Sequence, residues 1–422
     1  MNTIDRVVVI TDDVGHSGGA AVIALSSVKQ LCQKGVPVTV FCGDDGRSPE
    51  LAGLAVEVVP VCATHIMDGS RAAAAVRGLY NRGARALLDQ WIGANDTDRT
   101  VYHLHNWHKM LSPSVFFALR KVERRLLLST HDYFLVCPNG SYFHFPGNKP
   151  CSLPPLGGRC LAASCDKRHY GHKLWRVARQ GMRSAAIGLG NTRATIVVVH
   201  DAMIPLMVRG GVPSASIRVL RNPVAAWCDA RVPAEANSSV FFVGRLEIDK
   251  GVGVLANAAK LAGASLKVVG DGPLRAQLAA KHPDAQFLGQ KSRSELAELM
   301  RGARMLVLPS LSRETFGLVA VEALLSGVPV IISRAAPISQ EIEALGIGIT
   351  TPPGDVAALA DAIGGLLADD DAIRRMSERA MLRARTLAPT HEQWANQLAG
   401  LYRTTIEAAS WPQPASADQA RA

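Results

Sequence analysis

The sequence predicts an α/β protein made of two doubly wound domains. Three observations carry this. Short β-branched runs alternate with longer helical patterns, the alternation restarts halfway along, and Gly, cations and carboxylates gather where the strand-like runs end. The 422 residues allow two or three domains, and 48% apolar with 19% charged side chains is the balance of a folded chain.

The first half runs through RVVVIT (6–11), VPVTVFC (36–42), AVEVVPV (55–61), TVYHLH (100–105), RLLLSTH (125–131), TIVVVH (195–200) and IRVLRNP (217–223). Such runs suit parallel strands buried on both faces. The second half repeats the pattern with SVFFVGR (239–245), SLKVVGDG (265–272), AQFLGQ (285–290), ARMLVLPS (303–310) and VPVIIS (328–333). The stretch 223–238 is poor in both signals and reads as a linker. The expected units are therefore 1–222, 239–388, a helix over 389–409 packing back on the first domain, and a flexible tail at 410–422.

Charge is uneven. Residues 1–222 carry 26 Lys/Arg against 15 Asp/Glu, residues 223–422 carry 20 against 21, and residues 101–200 alone carry 14 against 3. A basic half suggests phosphate-bearing partners. The run DKRHYGHKLWRVARQGMR (166–183) comes with no nucleic-acid-binding signature, so no nucleic acid is expected. It sets Lys173, Arg176, Arg179 and Arg183 beside Trp175 and Met182, which suits a helix lying on anionic lipid headgroups; a solvated basic helix is the alternative. No apolar run approaches the roughly 18–20 residues that span a bilayer. The N-terminus lacks the basic and apolar regions of a signal peptide. The expected location is the cytoplasm, peripheral to the inner membrane face.

In a reducing compartment the eight cysteines are thiols or metal ligands. Cys137, Cys151, Cys160 and Cys165 cluster in a Gly/Pro-rich stretch, and a structural zinc on these four is the reading taken, with free thiols or an oxidised pair as alternatives.

The segment RETFGLVAVEALLSGVPVIIS (313–333) reads as a loop, a helix from about Phe316, a stop at Gly327 and a strand. Glu314 and Glu322 are eight apart, just over two turns, so both carboxylates can share a side. Gly317 lets a ligand approach the first helical N–H groups, which favour an anion such as a diphosphate. Arg245 and Lys250 follow another strand and can neutralise it, and Gly270 ends a third.

Taken in order, VGRLEIDKG, VVGDGPL, FLGQ, LVLPS, ETFGLVAVEA and SGVPVI resemble the donor-binding domain of retaining glycosyltransferase family 4, a GT-B group of two Rossmann-like domains facing a central cleft. The resemblance covers about residues 240–385 and is specific as a set. The first half resembles the acceptor domain more loosely, through VGHSGGA (14–20) and STHDYF (129–134). The resemblance implies that Glu314 contacts the donor sugar and Glu322 the ribose. It implies that Arg245, Lys250 and the N–H groups near Phe316, Gly317 and Leu318 hold the diphosphate. Gly18 and Gly19 would approach the phosphates or acceptor, and His131 the reacting sugar.

The function so implied is retaining transfer of a hexose-type sugar from a nucleotide diphosphate sugar to a hydroxyl of a glycan, lipid-linked, in cell-surface polysaccharide synthesis. No cofactor is required for catalysis. A non-catalytic binding protein of the same shell, or an epimerase, is the rival. The loop is not G-x-G-x-x-G, which speaks against a dehydrogenase. Asp96 and Asp98 form a D-x-D that reads as an ordinary polar loop. His103, His105 and His108 read as strand-core residues, with one of them open to the cleft.

Overall fold

A computed structural model describes residues 4–15 and 18–410; His16, Ser17 and the tail residues 411–422 lie outside the described residues. The first sheet has seven strands: β1 (Arg6–Thr11), β2 (Val38–Cys42), β3 (Val56–Pro60), β4 (Thr100–Leu104), β5 (Leu126–Thr130), β6 (Thr195–Val198) and β7 (Ile217–Val219). Their order is β3-β2-β1-β4-β5-β6-β7, all parallel. The second sheet has six: β8 (Ser239–Val243), β9 (Leu266–Val269), β10 (Gln286–Gly289), β11 (Ala303–Leu308), β12 (Val330–Ser333) and β13 (Gly348–Thr351). Their order is β10-β9-β8-β11-β12-β13, again all parallel. Strand β13 was not anticipated, because Gly346 and Gly348 interrupt its short apolar run.

Val7, Val8, Val9 and Ile10 are all fully buried, as a central strand covered on both faces requires. In each sheet the order reverses beside the first strand, between β1 and β4 and between β8 and β11. Open α/β sheets bind ligands outside the carboxyl ends at such a point.

The chain crosses between the sheets twice. At the crossing the Val224 N–H donates to the Pro389 carbonyl at 3.2 Å and Arg385 Nη1 donates to the Val224 carbonyl at 2.7 Å. The last helix, His391–Ser410, then lies on the first sheet. Its Trp394, Leu398, Tyr402 and Ile406 share one core with Val7, Val9, Val28 and Val38.

The helix Tyr170–Ala186 corrects two expectations. Its cations face inward, away from any lipid surface. Lys173 is fully buried and donates to the Cys160 and Ala163 carbonyls. Arg176 pairs with buried Asp166 at 3.2 Å and covers the Phe134 ring at 5.2 Å. Arg179 donates to the His108 carbonyl at 2.8 Å, with Trp107 and Trp175 rings 5.4 and 4.8 Å from its guanidinium. Arg183 takes the Leu135 and Ile187 carbonyls, both at 3.2 Å. Burial lowers Arg179 and Arg183 to about 10, still charged at neutral pH. The helix exposes Tyr170 and Leu174 instead. These cations serve as internal cross-links to orphan carbonyls.

The sulfur positions lend the zinc reading no support. Among the described residues no three of the Cys137, Cys151, Cys160 and Cys165 sulfurs come within 4.8 Å of one another, whereas a tetrahedral thiolate site needs its ligands about 2.3 Å from one ion. The Lys173 ammonium stands beside Cys165 and already supplies the positive charge there. Burial pushes the Cys137 thiol up to about 11, and its Sγ donates to Asn139 Oδ1 at 3.1 Å. All four are free thiols.

Two outcomes are expected. Protein purified without chelator should contain far less than one zinc per chain, and a near-stoichiometric value would overturn the account of Lys173. Trp394→Ala should cost about 3–5 kcal/mol in urea unfolding, the usual loss for emptying a buried tryptophan site. An unchanged midpoint would mean that the last helix contributes little to the first domain.

Candidate active site

The carboxyl ends of both sheets face a cleft of about 450 Å³, a volume suited to a small molecule. From the first sheet, the loop after β1 supplies Gly18 and Gly19, the loop after β4 supplies Asn106, His108 and Lys109, and β5 ends at His131 and Asp132. From the second, the loop after β8 supplies Gly244, Arg245 and Lys250, and the loop after β11 supplies Ser310, Glu314, Phe316, Gly317 and Leu318.

Gly317 caps the helix Leu318–Leu325 with φ of 107°, a conformation that side chains resist. The first N–H groups of that helix have no preceding carbonyl to bond and border the cleft. The glycine loop approaches from the opposite side: a Cβ on Gly19 would lie 3.4 Å from Leu318 Cδ1. The two halves also touch where Thr315 Oγ1 donates to the His131 carbonyl at 3.0 Å.

Glu314 is the best-held acid in the cleft. Its Oε1 accepts from Lys250 Nζ at 2.7 Å and from Ser310 Oγ at 2.6 Å. Burial alone would raise its pKa, but the Lys250 charge and these two bonds outweigh burial and hold it below the usual carboxylate range. Glu314 therefore stays ionised and can accept hydrogen bonds from hydroxyl groups. Arg245 leans out, its side chain 63% exposed and bonded to Glu247 at 3.0 Å. Burial lowers His131 to about 4, so its imidazole is neutral. Its Nε2 meets His105 Nδ1 at 3.1 Å.

The cleft thus gathers Gly18, Gly19, His131, Arg245, Lys250, Glu314, Phe316, Gly317 and Leu318. Two expected residues are not along its wall. Gly270, at φ of 129°, packs so tightly on the next loop that a Cβ would sit 2.0 Å from the Gly244 carbonyl. Its glycine serves that close approach. Glu322 is held by Arg293 Nη1 at 2.8 Å, farther down the helix, and burial raises its pKa despite that cation. Asn106, Lys109, Asp132, Asn222 and Ser310 line the cleft unannounced; position just past a strand end was the only signal they carried. His103 and His105 are core residues, whereas His108 lines the cleft. Asp96 bonds Arg125 at 2.7 Å through each oxygen and accepts from Tyr102 at 2.8 Å, so the D-x-D is structural.

Two buried histidines and two half-buried ones at the cleft make stability depend on pH. Burial lowers His103 to about 3, His108 and His131 to about 4, and His105 well below its ordinary value. Between roughly pH 6.5 and these values the unfolded chain binds more protons, so stability present above 6.5 is lost as pH falls. Urea unfolding should weaken by about 1 kcal/mol per such histidine at pH 5.5 relative to pH 7.5. A flat profile over that range would contradict the burial.

Comparison with known proteins agrees with this geometry. The family model for glycosyl transferases group 1 matches residues 230–383, and that for the glycosyl transferase 4-like domain matches residues 18–223. The glycogen synthase of Mycobacterium tuberculosis is 34% identical over 183 residues, 40% of this chain but only 44% of that one, so the match spans less than half of that relative. The D-inositol 3-phosphate glycosyltransferase of Corynebacterium glutamicum is 33% identical over 431 aligned residues, 93% of each chain. In fold, the Anabaena protein HepE, solved with UDP and glucose, superposes with a TM-score of 0.66 at 18% identity, over 95% of this chain and 100% of that one. The chain belongs to the group 1 glycosyltransferases, with the GT-B architecture of two Rossmann-like domains.

Proposed function

We propose that the protein transfers a hexose-type sugar from a nucleoside diphosphate sugar to a hydroxyl of a glycan acceptor, with retention at the anomeric carbon. The observation that carries this reading is the Lys250–Glu314 pair beside the bare helix N-terminus at Gly317. A diphosphate needs the cation and the N–H groups, and a neutral sugar needs the ionised acceptor. The HepE structure, solved with UDP and glucose, supports the same class of donor.

In the proposed reaction the bond from the anomeric carbon to the phosphate oxygen breaks and a bond to the acceptor oxygen forms. The acceptor proton leaves with the diphosphate. Lys250, Arg245 and the N–H groups at Leu318 stabilise the departing charge, the main electrostatic contribution. Glu314 orients the sugar. Contact between the halves at Thr315 and His131 keeps water from the reacting carbon. A lipid-linked acceptor at an anionic membrane would draw on the positive balance of residues 101–200 through its exposed cations, Arg159 and Arg168 among them, and not through the inward-turned cations of the helix Tyr170–Ala186. No helix among the described residues is long and apolar enough to cross a membrane.

A panel of nucleoside diphosphate sugars, assayed for diphosphate release with and without glycan acceptors, identifies the donor. Glu314→Gln and Lys250→Ala should each reduce kcat/KM by about 10²-fold or more, the scale of one preorganised charge contact. Both variants should remain folded with a single cooperative urea transition, Lys250→Ala losing more stability than Glu314→Gln because it leaves the Glu314 carboxylate without its cation. Binding without turnover across the panel would favour the non-catalytic rival, and near-normal turnover in both variants would refute the site.

A further inference from the structure

Three histidines form a row between the last helix and the cleft. The His103 and His105 rings are 4.0 Å apart, and the His105 and His131 rings lie side by side in nearly parallel planes, with centroids 5.4 Å apart and 8° between them. His103 is closed at both nitrogens, with Nδ1 2.7 Å from the Tyr402 hydroxyl and Nε2 2.8 Å from the Ser129 hydroxyl. His105 is not. Its Nδ1 meets His131 Nε2 at 3.1 Å, while its own Nε2 is buried with no hydrogen-bond partner. His131 Nδ1 is neither bonded within the described protein nor among its buried unpaired atoms, and the ring lines the cleft.

Both rings are neutral, so one hydrogen occupies the 3.1 Å contact. Suppose it belonged to His131. The proton of His105 would then sit on Nε2, as a buried N–H with no acceptor. Suppose instead it belongs to His105. The unpaired atom is then only a lone pair. A buried donor without an acceptor is the rarer fault in folded proteins.

We infer that His105 is a positioning residue: its Nδ1–H donates to His131 Nε2 and so fixes the proton of His131 on Nδ1, where it offers the cleft an N–H donor. Left alone, His131 would exchange between two tautomers, one of which shows the cleft a lone pair. A donor is the useful form opposite Glu314, since that carboxylate only accepts and the expected ligand brings phosphate and hydroxyl oxygens. The catalytic side of this inference rests on the transferase reading above; the tautomer itself does not.

The test uses full-length protein labelled with ¹⁵N at histidine, with His131→Gln to assign the His131 signals. Long-range ¹H–¹⁵N spectra at pH 7 should place the His131 proton on Nδ1. His105→Leu should release it to a mixture or to Nε2. It should also lower kcat by about 10- to 100-fold, with KM for the nucleotide sugar changed by less than about 3-fold, as for loss of an interaction made mainly in the transition state. His105→Asn, whose amide N–H stands near the lost Nδ1–H, should restore kcat to within about 3-fold and the Nδ1 tautomer with it. A proton on Nε2 of His131 in the wild-type protein overturns the inference. So does wild-type kcat in the leucine variant. If that variant fails to fold, the wild-type spectrum still decides. If the wild-type protein turns over no nucleotide sugar, the function reading falls while the spectrum still tests the tautomer.

Discussion

One buried carboxylate organises the first-domain wall of the cleft. Asp12, the residue after β1, is fully buried and accepts the backbone N–H groups of Lys109, Met110 and Leu111 at 2.8, 2.8 and 2.9 Å. It ties the loop after β4 to the end of β1, at the point where the strand order reverses. Asn106 completes the knot, accepting from the Asp12 N–H at 2.5 Å and from the Thr11 hydroxyl at 2.8 Å. Without Asp12 three backbone donors lose their acceptor, at roughly 1–3 kcal/mol for the buried Leu111 N–H and less for the half-buried Lys109 and Met110. The loop that presents His108 and Lys109 would then have no fixed shape.

That anion also has a buried cation near it. Burial lowers the Arg179 pKa, and the Asp12 charge opposes that shift. Arg179 holds the same loop from the other side, through the His108 carbonyl. A single helix thus sends Lys173 to the cysteine loop, Arg179 to the loop after β4 and Arg183 to the segment after β5. Within residues 101–200, Lys173, Arg176, Arg179 and Arg183 are scaffolding for irregular backbone near the cleft, because loops without a ladder need side-chain donors for their carbonyls, whereas Arg120, Lys121, Lys149, Arg159, Lys167, Arg168 and Arg193 stay exposed.

This is also where the sequence was hardest to read. Parallel strands buried on both faces announce themselves as apolar runs, so twelve of the thirteen sheet strands were legible; β13, broken by Gly346 and Gly348, was not. Glu314, Lys250 and Gly317 were legible because their motif is contiguous and sits at a strand end or helix start. Glu322 followed from the same spacing; its bond to Arg293, 29 residues earlier in the chain, did not. Asp12, Arg179 and Asn106 act through contacts about 70 to 100 residues away in sequence, which no local pattern records. Long cations are usually exposed, and that expectation sent the helix Tyr170–Ala186 to the wrong side of the surface.

The return of the last helix to the first sheet bears on how the protein is made. A chain emerging from the ribosome usually folds domain by domain from its N-terminus. Here the first domain cannot close early: the core around Val7 and Val9 awaits Trp394 and Tyr402, and the His103 ring awaits the Tyr402 hydroxyl. The second domain, whose sheet ends at Thr351, can assemble first while its elder neighbour stands open along one face. Residues as late as Tyr402 must therefore emerge before the histidine row is complete, and a nascent chain stalled short of residue 390 would hold a nearly finished second domain beside an unsealed partner.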